Sequence, residues 1–258
     1  MNIQKMVKRV LVIMIMTGFS SFLVAGISST LHNLSSTGPA DGVDDSNIKA
    51  AGAGELNAEI CAFCHTPHGA SSAFSGAPLW NKGASTGGGF ALYGSGGSGT
   101  TLAGTTPDGS AAAGVNAPSM ACLSCHDGVS AINSIVNAPG SGGYVAAGSS
   151  VTFQGDATDK TMPAGITQIG RDLSNDHPVS IEYLGDGTAT SPASLKLKTD
   201  TLTGWIGATT IADLLRTTGA NADRVECGSC HDPHSSTTNT FLRINNTGSA
   251  LCLGCHAK

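Results

Sequence analysis

Eight cysteines and eight histidines carry the chemistry of this 258-residue chain, and every cysteine falls in one pattern. The pattern is Cys-x-x-Cys-His, and it occurs four times: CAFCH at 61–65 (motif I), CLSCH at 122–126 (motif II), CGSCH at 227–231 (motif III) and CLGCH at 252–256 (motif IV). Four disulfides or two four-thiolate zinc sites would use the cysteines, but neither explains a histidine after each second cysteine. This spacing is the attachment motif of c-type haem.

In such a motif the two thiols bond to one edge of the porphyrin, and the histidine that follows reaches the iron from the same side. The sequence therefore predicts four covalently bound haem c groups. Their thioether positions are Cys61, Cys64, Cys122, Cys125, Cys227, Cys230, Cys252 and Cys255. Their proximal iron ligands are His65, His126, His231 and His256.

Four histidines remain, which equals the number of distal ligands that four six-coordinate irons need. They are His32, His68, His177 and His234. Methionine is the competing distal ligand, but only Met120 and Met162 lie outside the N-terminal segment, so methionine can serve at most two haems. We predict bis-histidine ligation throughout. Filled axial positions favour electron transfer over catalysis, and two imidazoles give a lower reduction potential than histidine with methionine.

The stretch CAFCHTPH places His68 only three residues after His65. The backbone of His68 therefore stays on the proximal side of its own haem, and we expect it to ligate a different haem, aimed by Pro67. CGSCHDPH repeats the arrangement, with His234 after His231.

The polypeptide offers little material for a conventional core. It contains 35 glycines, and aromatic residues make up 5% of it. Such a chain loses much conformational entropy on ordering and has little side-chain surface to offset the loss. We predict a mostly irregular fold with low secondary structure, in which loops and short helices wrap a stack of four haems.

The chain organisation follows from three stretches. Residues 1–26 contain a basic start, an apolar run and small residues at Ala25 and Gly26, which predicts a cleaved signal peptide and export. Removing it leaves ten basic against 18 acidic residues, a formal charge of −8, which argues against nucleic-acid binding. Residues 27–258 are then a single domain, with a glycine-rich surface loop at about 83–115.

Regular elements are expected in few places. Residues 208–217 predict a helix, with Ile211, Leu214 and Leu215 on one face. Residues 143–155 predict a short hairpin, and 181–185 a strand. Pro178 biases His177 toward extended backbone, a rigid way to present a distal ligand from a loop.

The order of HNLSSTGP, CAFCHTPH, CLSCH, DHPVSI, CGSCHDPH and FLRINNTGSALCLGCHAK resembles the multihaem cytochromes with doubled Cys-x-x-Cys-His motifs. Among them it is most similar to the tetrahaem, filament-forming cytochromes of metal-reducing bacteria. The resemblance rests on some 60 to 70 residues around the ligands. It implies an extracellular nanowire of identical subunits, which passes respiratory electrons from redox-partner cytochromes to external acceptors such as metal oxides. It also implies that a histidine of one subunit can ligate a haem of the next, and His32 is the candidate.

Two other functions stay open at this point. A monomeric periplasmic tetrahaem shuttle would use the same haem residues, and only polymer formation separates it from a filament. A haem enzyme would need a five-coordinate iron, against which the histidine count argues. Eight propionates would add negative charge that ten basic residues cannot pair, so a divalent cation at the propionates is a further candidate cofactor. We expect no retained membrane anchor.

Overall fold

The computed structural model describes twelve stretches of the chain. They are residues 26–39, 49–50, 59–74, 77, 79–83, 89–92, 114–115, 117–139, 161–189, 191–218, 221–238 and 240–257. The predicted apolar run of the signal peptide, the predicted hairpin at 143–155 and most of the glycine-rich tract lie outside them. No helix among the described residues has the length and apolar character needed to cross a membrane.

Regular structure is sparse, as predicted. The helices are α1 (Ala117–His126), α2 (Ile211–Leu214), α3 (Cys227–Cys230) and α4 (Ala250–Cys255), and short 3-10 turns form at Gly26–Ser29, Ile60–Phe63, Ser72–Phe74 and Thr247–Ser249. The strands are β1 (Ile181–Glu182), β2 (Arg216–Thr218) and β3 (Asn221–Val225). The described part of the chain is therefore mostly irregular, with α1 as its longest element.

The helix predicted at 208–217 is wrong in extent. It covers only Ile211–Leu214, because Leu215 already has an extended backbone and Arg216 begins a strand that pairs with β3. The strand predicted at 181–185 is likewise reduced to its first two residues. Tertiary strand pairing has overridden local helix preference here.

The small sheet has the order β1-β3-β2, and both pairings are antiparallel. Ile181 lies opposite Val225, and Arg216 lies opposite Arg224 across β3. Since β3 ends one residue before Glu226, the sheet fixes where motif III begins, and β1 follows closely on the loop that carries His177.

Three small apolar clusters replace a single core. The first contains Ala50, Phe63, Ile132, Ile135 and Met162; the second Tyr183, Leu202, Ile211, Leu214 and Leu215; the third Leu92, Leu123 and Leu173. The first also packs against Cys64 and Cys125, and the second against Cys255. The clusters therefore lie around the Cys-x-x-Cys-His motifs and hold them in place.

Candidate functional site

Each Cys-x-x-Cys-His motif forms one helical turn. Motif I is a 3-10 turn, motif II ends α1, and motifs III and IV coincide with α3 and the end of α4. In motifs I, III and IV the histidine N–H donates to the carbonyl of the first cysteine, at 2.9, 3.0 and 2.9 Å. Residues i, i+3 and i+4 share one face of a helix, so the turn directs both thiols and the histidine the same way.

A facing segment contacts the backbone of each proximal histidine. His126 accepts the Ile169 N–H at 2.9 Å through its carbonyl. The other three form isolated antiparallel bridges: His65 with Trp80, His231 with Leu242, and His256 with Leu195. This recurring bridge is a shared way of fixing the ligand after the helical turn ends.

Ring hydrogen bonds select the nitrogen that is available to a metal. His126 Nδ1 lies 2.7 Å from the Thr167 carbonyl, and His231 Nδ1 lies 2.8 Å from the Thr240 carbonyl. A carbonyl accepts only, so Nδ1 carries the proton and Nε2 keeps its lone pair. His177 makes the same kind of contact with the Pro178 carbonyl at 2.9 Å. These imidazoles are in the tautomer that ligates iron through Nε2.

Three predicted proximal histidines each lie beside a predicted distal one. The ring centres are 6.1 Å apart for His126 and His32, 6.0 Å for His65 and His234, and 6.4 Å for His256 and His177. The interplanar angles of these pairs are 70°, 21° and 66°. The structure therefore brings together residues that are between 79 and 169 positions apart in the sequence.

The separations fit a shared iron. A metal about 2 Å from each ligating nitrogen, with each ring centre about 1 Å further out, places two opposed imidazole centres about 6 Å apart. Rotation about the metal–nitrogen axis leaves this distance unchanged, so the varied interplanar angles are compatible with it. The chemistry of the three pairs thus fits a bis-histidine haem.

The N-terminal arm, residues 26–39, brings His32 into this region. His32 stacks on Phe241 with ring centres 4.2 Å apart and an angle of 12°. Burial, together with the nearby His126, lowers the pKa of His32 to about 4. The ring is therefore neutral at physiological pH, which is the form that ligates a metal.

His68 and His231 are the remaining predicted ligands, and both side chains are exposed. The backbone of His68 is fixed, since its carbonyl accepts the Thr66 hydroxyl and the Asn137 side-chain amide, both at 2.9 Å. His231 is oriented by Thr240 as described. Their pairing is therefore an inference from the other three and stays a prediction.

The two competing methionines lie in apolar clusters. Met162 is 9% exposed in the first cluster, and its sulfur accepts the Thr167 hydroxyl at 3.5 Å. Met120 packs against the third cluster. These positions favour histidine over methionine as the distal ligand.

Cysteines of successive motifs lie close together. Burial raises the pKa of the Cys64 thiol to about 12, with Cys125 as the next contributor. A hydrogen bond from Cys122 to Cys227 raises the pKa of the first thiol and lowers that of the second. Burial raises the pKa of Cys230 to about 11, with Cys255 again contributing. Motif I therefore neighbours motif II, motif II neighbours motif III, and motif III neighbours motif IV.

Four of the seven large apolar side chains that are exposed among the described residues lie close in sequence to the same ligands or to the residue that holds one of them. Leu31 precedes His32, Leu253 lies inside motif IV, and Ile166 and Ile169 flank the Thr167 carbonyl that holds His126. Ile166 is fully exposed. A flat apolar porphyrin is the type of group that such a surface fits.

No disulfide joins any two of the eight cysteines, all of which lie in the described stretches. Among the described residues, no group of three or more histidine, cysteine, aspartate or glutamate side chains could hold a metal ion without further ligands. Haem iron needs only two protein ligands, because the porphyrin supplies the other four. The divalent cation expected at the propionates stays a prediction.

Four buried charges beside the motifs were not anticipated from the sequence: Lys82, Asp127, Glu226 and Arg243. Asp127 is paired with Arg171 at 2.9 Å. Lys82 is 2% exposed, next to Asn81, whose N–H donates to the Cys64 carbonyl at 2.8 Å. Glu226 is 1% exposed and directly precedes Cys227. The only sequence signal was position: Glu226 is the residue before a Cys-x-x-Cys turn, and Lys82 has none.

Comparison with known proteins bears on the haem-attachment motifs alone. No curated protein matches the chain. Residues 219–258, which contain motifs III and IV, match the family model described as the doubled CXXCH motif. This match, over 40 of the 258 residues, supports covalent attachment of haem c at paired motifs, as in multihaem c-type cytochromes.

Proposed function

We propose that the chain binds four haem c groups, each with two histidine ligands, and transfers electrons as the subunit of an extracellular cytochrome filament. The single observation that carries the ligation is the 6.0 to 6.4 Å separation in three proximal–distal imidazole pairs. The haems supply one-electron carriers when bound. The residues of the chain attach them, supply their axial ligands and set their spacing.

The fourth ligand pair is His231 with His68. Motifs I and III share the pattern C-x-x-C-H-[TD]-P-H, and His234 of the second lies beside His65 of the first. Reciprocity then assigns His68 to the iron of motif III. The two octapeptides would exchange distal ligands, which couples two haems at close range.

Contacts between neighbouring motifs support electron transfer from haem to haem. Cys64 with Cys125, Cys122 with Cys227, and Cys230 with Cys255 are neighbours at the three successive junctions. Thioether attachment at these positions would hold adjacent porphyrin edges close, which hopping of electrons requires.

Filled axial positions argue against catalysis at iron. A reductase needs an iron with an open face and acid–base groups beside it. Carbon monoxide should therefore leave the spectrum of the reduced protein unchanged. Stoichiometric carbon monoxide binding by the protein as isolated would refute bis-histidine ligation at one or more haems.

A filament and a monomeric shuttle differ in whether His32 ligates the iron of motif II in its own chain or in a neighbouring subunit. The contact of His32 with His126 within one chain is the observation that favours a monomeric periplasmic shuttle. The same pair would form if the arm came from a neighbouring subunit, as in a domain swap. The implied polymer, with export and external acceptors such as metal oxides, rests on the resemblance of the motifs.

The test is His32→Ala in the secreted protein, examined by negative-stain microscopy and size-exclusion chromatography. A filament joined through His32 predicts polymers for the wild type and monomers with four covalent haems for the variant. Wild-type protein that stays monomeric supports the shuttle. Filaments that persist in the variant refute ligation of His32 across subunits.

A further inference from the structure

Glu226 is a buried carboxylate at the junction between motifs II and III. It is 1% exposed, and its Oε2 accepts the hydroxyls of Ser119 and Ser180, the latter at 2.9 Å. Burying a carboxylate costs free energy unless hydrogen bonds compensate for the lost water. Two hydroxyl donors aimed at one oxygen provide such compensation.

The two serines belong to other ligand-bearing segments. Ser119 lies in α1, three residues before Cys122, and its Oγ also accepts the Cys227 N–H at 3.1 Å. Ser180 lies three residues after His177 and is 3% exposed. The carboxylate therefore connects motif II and the His177 loop to motif III.

Ser180 is held in an unusual conformation to make this contact. Its φ is +61°, in the left-handed region that non-glycine residues rarely adopt. Its N–H donates to the Val225 carbonyl at 2.6 Å, and its carbonyl accepts Arg224 Nη1 at 2.8 Å. A strained residue fixed by its neighbours in this way points to a constrained role for its side chain.

The Glu226 backbone also fixes the start of motif III. The Glu226 N–H donates to Ser229 Oγ at 3.0 Å, and Ser229 Oγ donates to the Leu214 carbonyl at 2.7 Å. The haem-binding turn α3 is thereby tied to α2. Glu226 directly precedes the first thioether position of motif III, Cys227, whose N–H is held by Ser119.

We propose that Glu226 is a positioning residue that holds motifs II and III and the His177 loop together, and that its charge lowers the reduction potential of the haems at this junction. The inference rests on the proposed electron-transfer function. A buried negative charge stabilises ferric relative to ferrous iron, and low internal dielectric makes the effect larger than at the surface. The anchoring role needs only a hydrogen-bond acceptor, so a substitution can remove the charge and keep the anchor.

Electron transfer between two haems would change no bond and move no proton. One electron would leave a ferrous haem, which is oxidised, and enter a ferric haem, which is reduced. Glu226 shifts the equilibrium of that step and takes no part in it.

The experiment is Glu226→Gln in the holoprotein, with haem counting and a spectroscopic potentiometric titration. Glutamine keeps an acceptor oxygen for Ser119 and Ser180 but removes the charge. We expect four haems and a positive shift of at least one midpoint. Its size should be about tenfold in the reduction equilibrium constant, or about 59 mV for one electron. Glu182→Gln, on the exposed side of β1, is the matched control and should shift less because water and salt screen it.

The outcomes separate the two claims. Four haems with unshifted midpoints in Glu226→Gln overturn the inference and leave electron transfer intact. A wild-type protein without reversible haem reduction overturns the proposed function itself. If Glu226→Gln loses haem, Ser180→Ala is the variant that tests the effect of the charge, because it removes one hydroxyl donor and keeps the Glu226 carboxylate. Its midpoints should stay or move negative, and a positive shift would show that lost order, and not charge, sets them.

Discussion

Motifs I and III share one pattern of ligands and differ in the charges buried beside them. Both read C-x-x-C-H-x-P-H, and the ring centre of His234, which follows motif III, lies 6.0 Å from that of His65 in motif I. Motif I has the buried cation Lys82 beside it, whereas motif III follows the buried anion Glu226. We predict from this difference that one ligand pattern can serve haems of different reduction potential, because the neighbouring charge comes from residues outside the pattern.

The two charges are held in different ways. The Lys82 ammonium donates to the backbone carbonyls of Ala131, at 3.2 Å, and Ile132, in the loop after motif II. Glu226 is held by serine hydroxyls, and motif III also has Arg243, whose Nε donates to the Gly228 carbonyl at 2.8 Å. The surroundings of motif III are thus of mixed sign.

The largest effect should come from removing the thioethers of each motif in turn. Cys227→Ala with Cys230→Ala, and Cys61→Ala with Cys64→Ala, should each leave three covalent haems, as counted by intact mass and pyridine haemochrome. A disulfide cross-link contributes about 2–4 kcal/mol to the free energy of unfolding, and we expect a loss of the same order when a motif loses its thioethers. The motif III variant should unfold more easily, since α1, α2 and the sheet all meet there. Equal stability of the two would contradict this ranking.

Removing one exchanged distal ligand should open one iron. His234→Ala should give one haem that binds carbon monoxide, at motif I, and His68→Ala should give one at motif III. Resonance Raman or low-temperature magnetic circular dichroism would identify the altered haem. If His68→Ala left all irons six-coordinate, the reciprocal exchange between the two octapeptides would be wrong.

Replacing Lys82 should shift a midpoint in the direction opposite to Glu226→Gln. Lys82→Met removes a buried positive charge that favours ferrous iron, so at least one midpoint should move negative. Lys82→Arg, which preserves the charge, should restore most of the potential. A positive shift in Lys82→Met would break the contrast between the two motifs.

The smallest effect should come from the position after the proximal histidine, where one octapeptide has Thr66 and the other has Asp232. Thr66 donates to the His68 carbonyl at 2.9 Å and accepts the Asn137 amide at 3.1 Å, so Thr66→Val should cost about 1 kcal/mol of unfolding free energy. Asp232 accepts the His234 N–H at 3.0 Å, a role that Asn can keep, and its ion pair with Arg243 Nη1 is long, at 3.7 Å. Asp232→Asn should therefore cost less, as measured by denaturant unfolding. The reverse order would show that the Asp232 charge matters more than its acceptor role.

The sequence allowed each haem ligand to be predicted by residue number, and those ligands stay predictions, whereas the elements that place them were predicted poorly. Cys-x-x-Cys-His is a local code, since one helical turn is enough to align Cys61, Cys64 and His65. Which distal histidine meets which iron depends on contacts between segments 79 or more positions apart, so the spacing could not reveal that His177 approaches His256.

The predictions that failed also depend on contacts between distant segments. Residues 208–217 have local helix character, but Arg216 pairs with β3 and ends the helix after one turn. Burial of Lys82 and Glu226 depends on carbonyls and hydroxyls from distant loops, which a single sequence does not place. Charged residues are exposed by default, and only the fold showed these two to be exceptions.

The most direct test of the central claim is cryo-electron microscopy of the secreted holoprotein at a resolution that shows axial ligands. We predict four porphyrins, one attached at each motif. Their irons should lie between His65 and His234, His126 and His32, His231 and His68, and His256 and His177. Fewer than four porphyrins, a methionine ligand, or a different pairing of these histidines would contradict it.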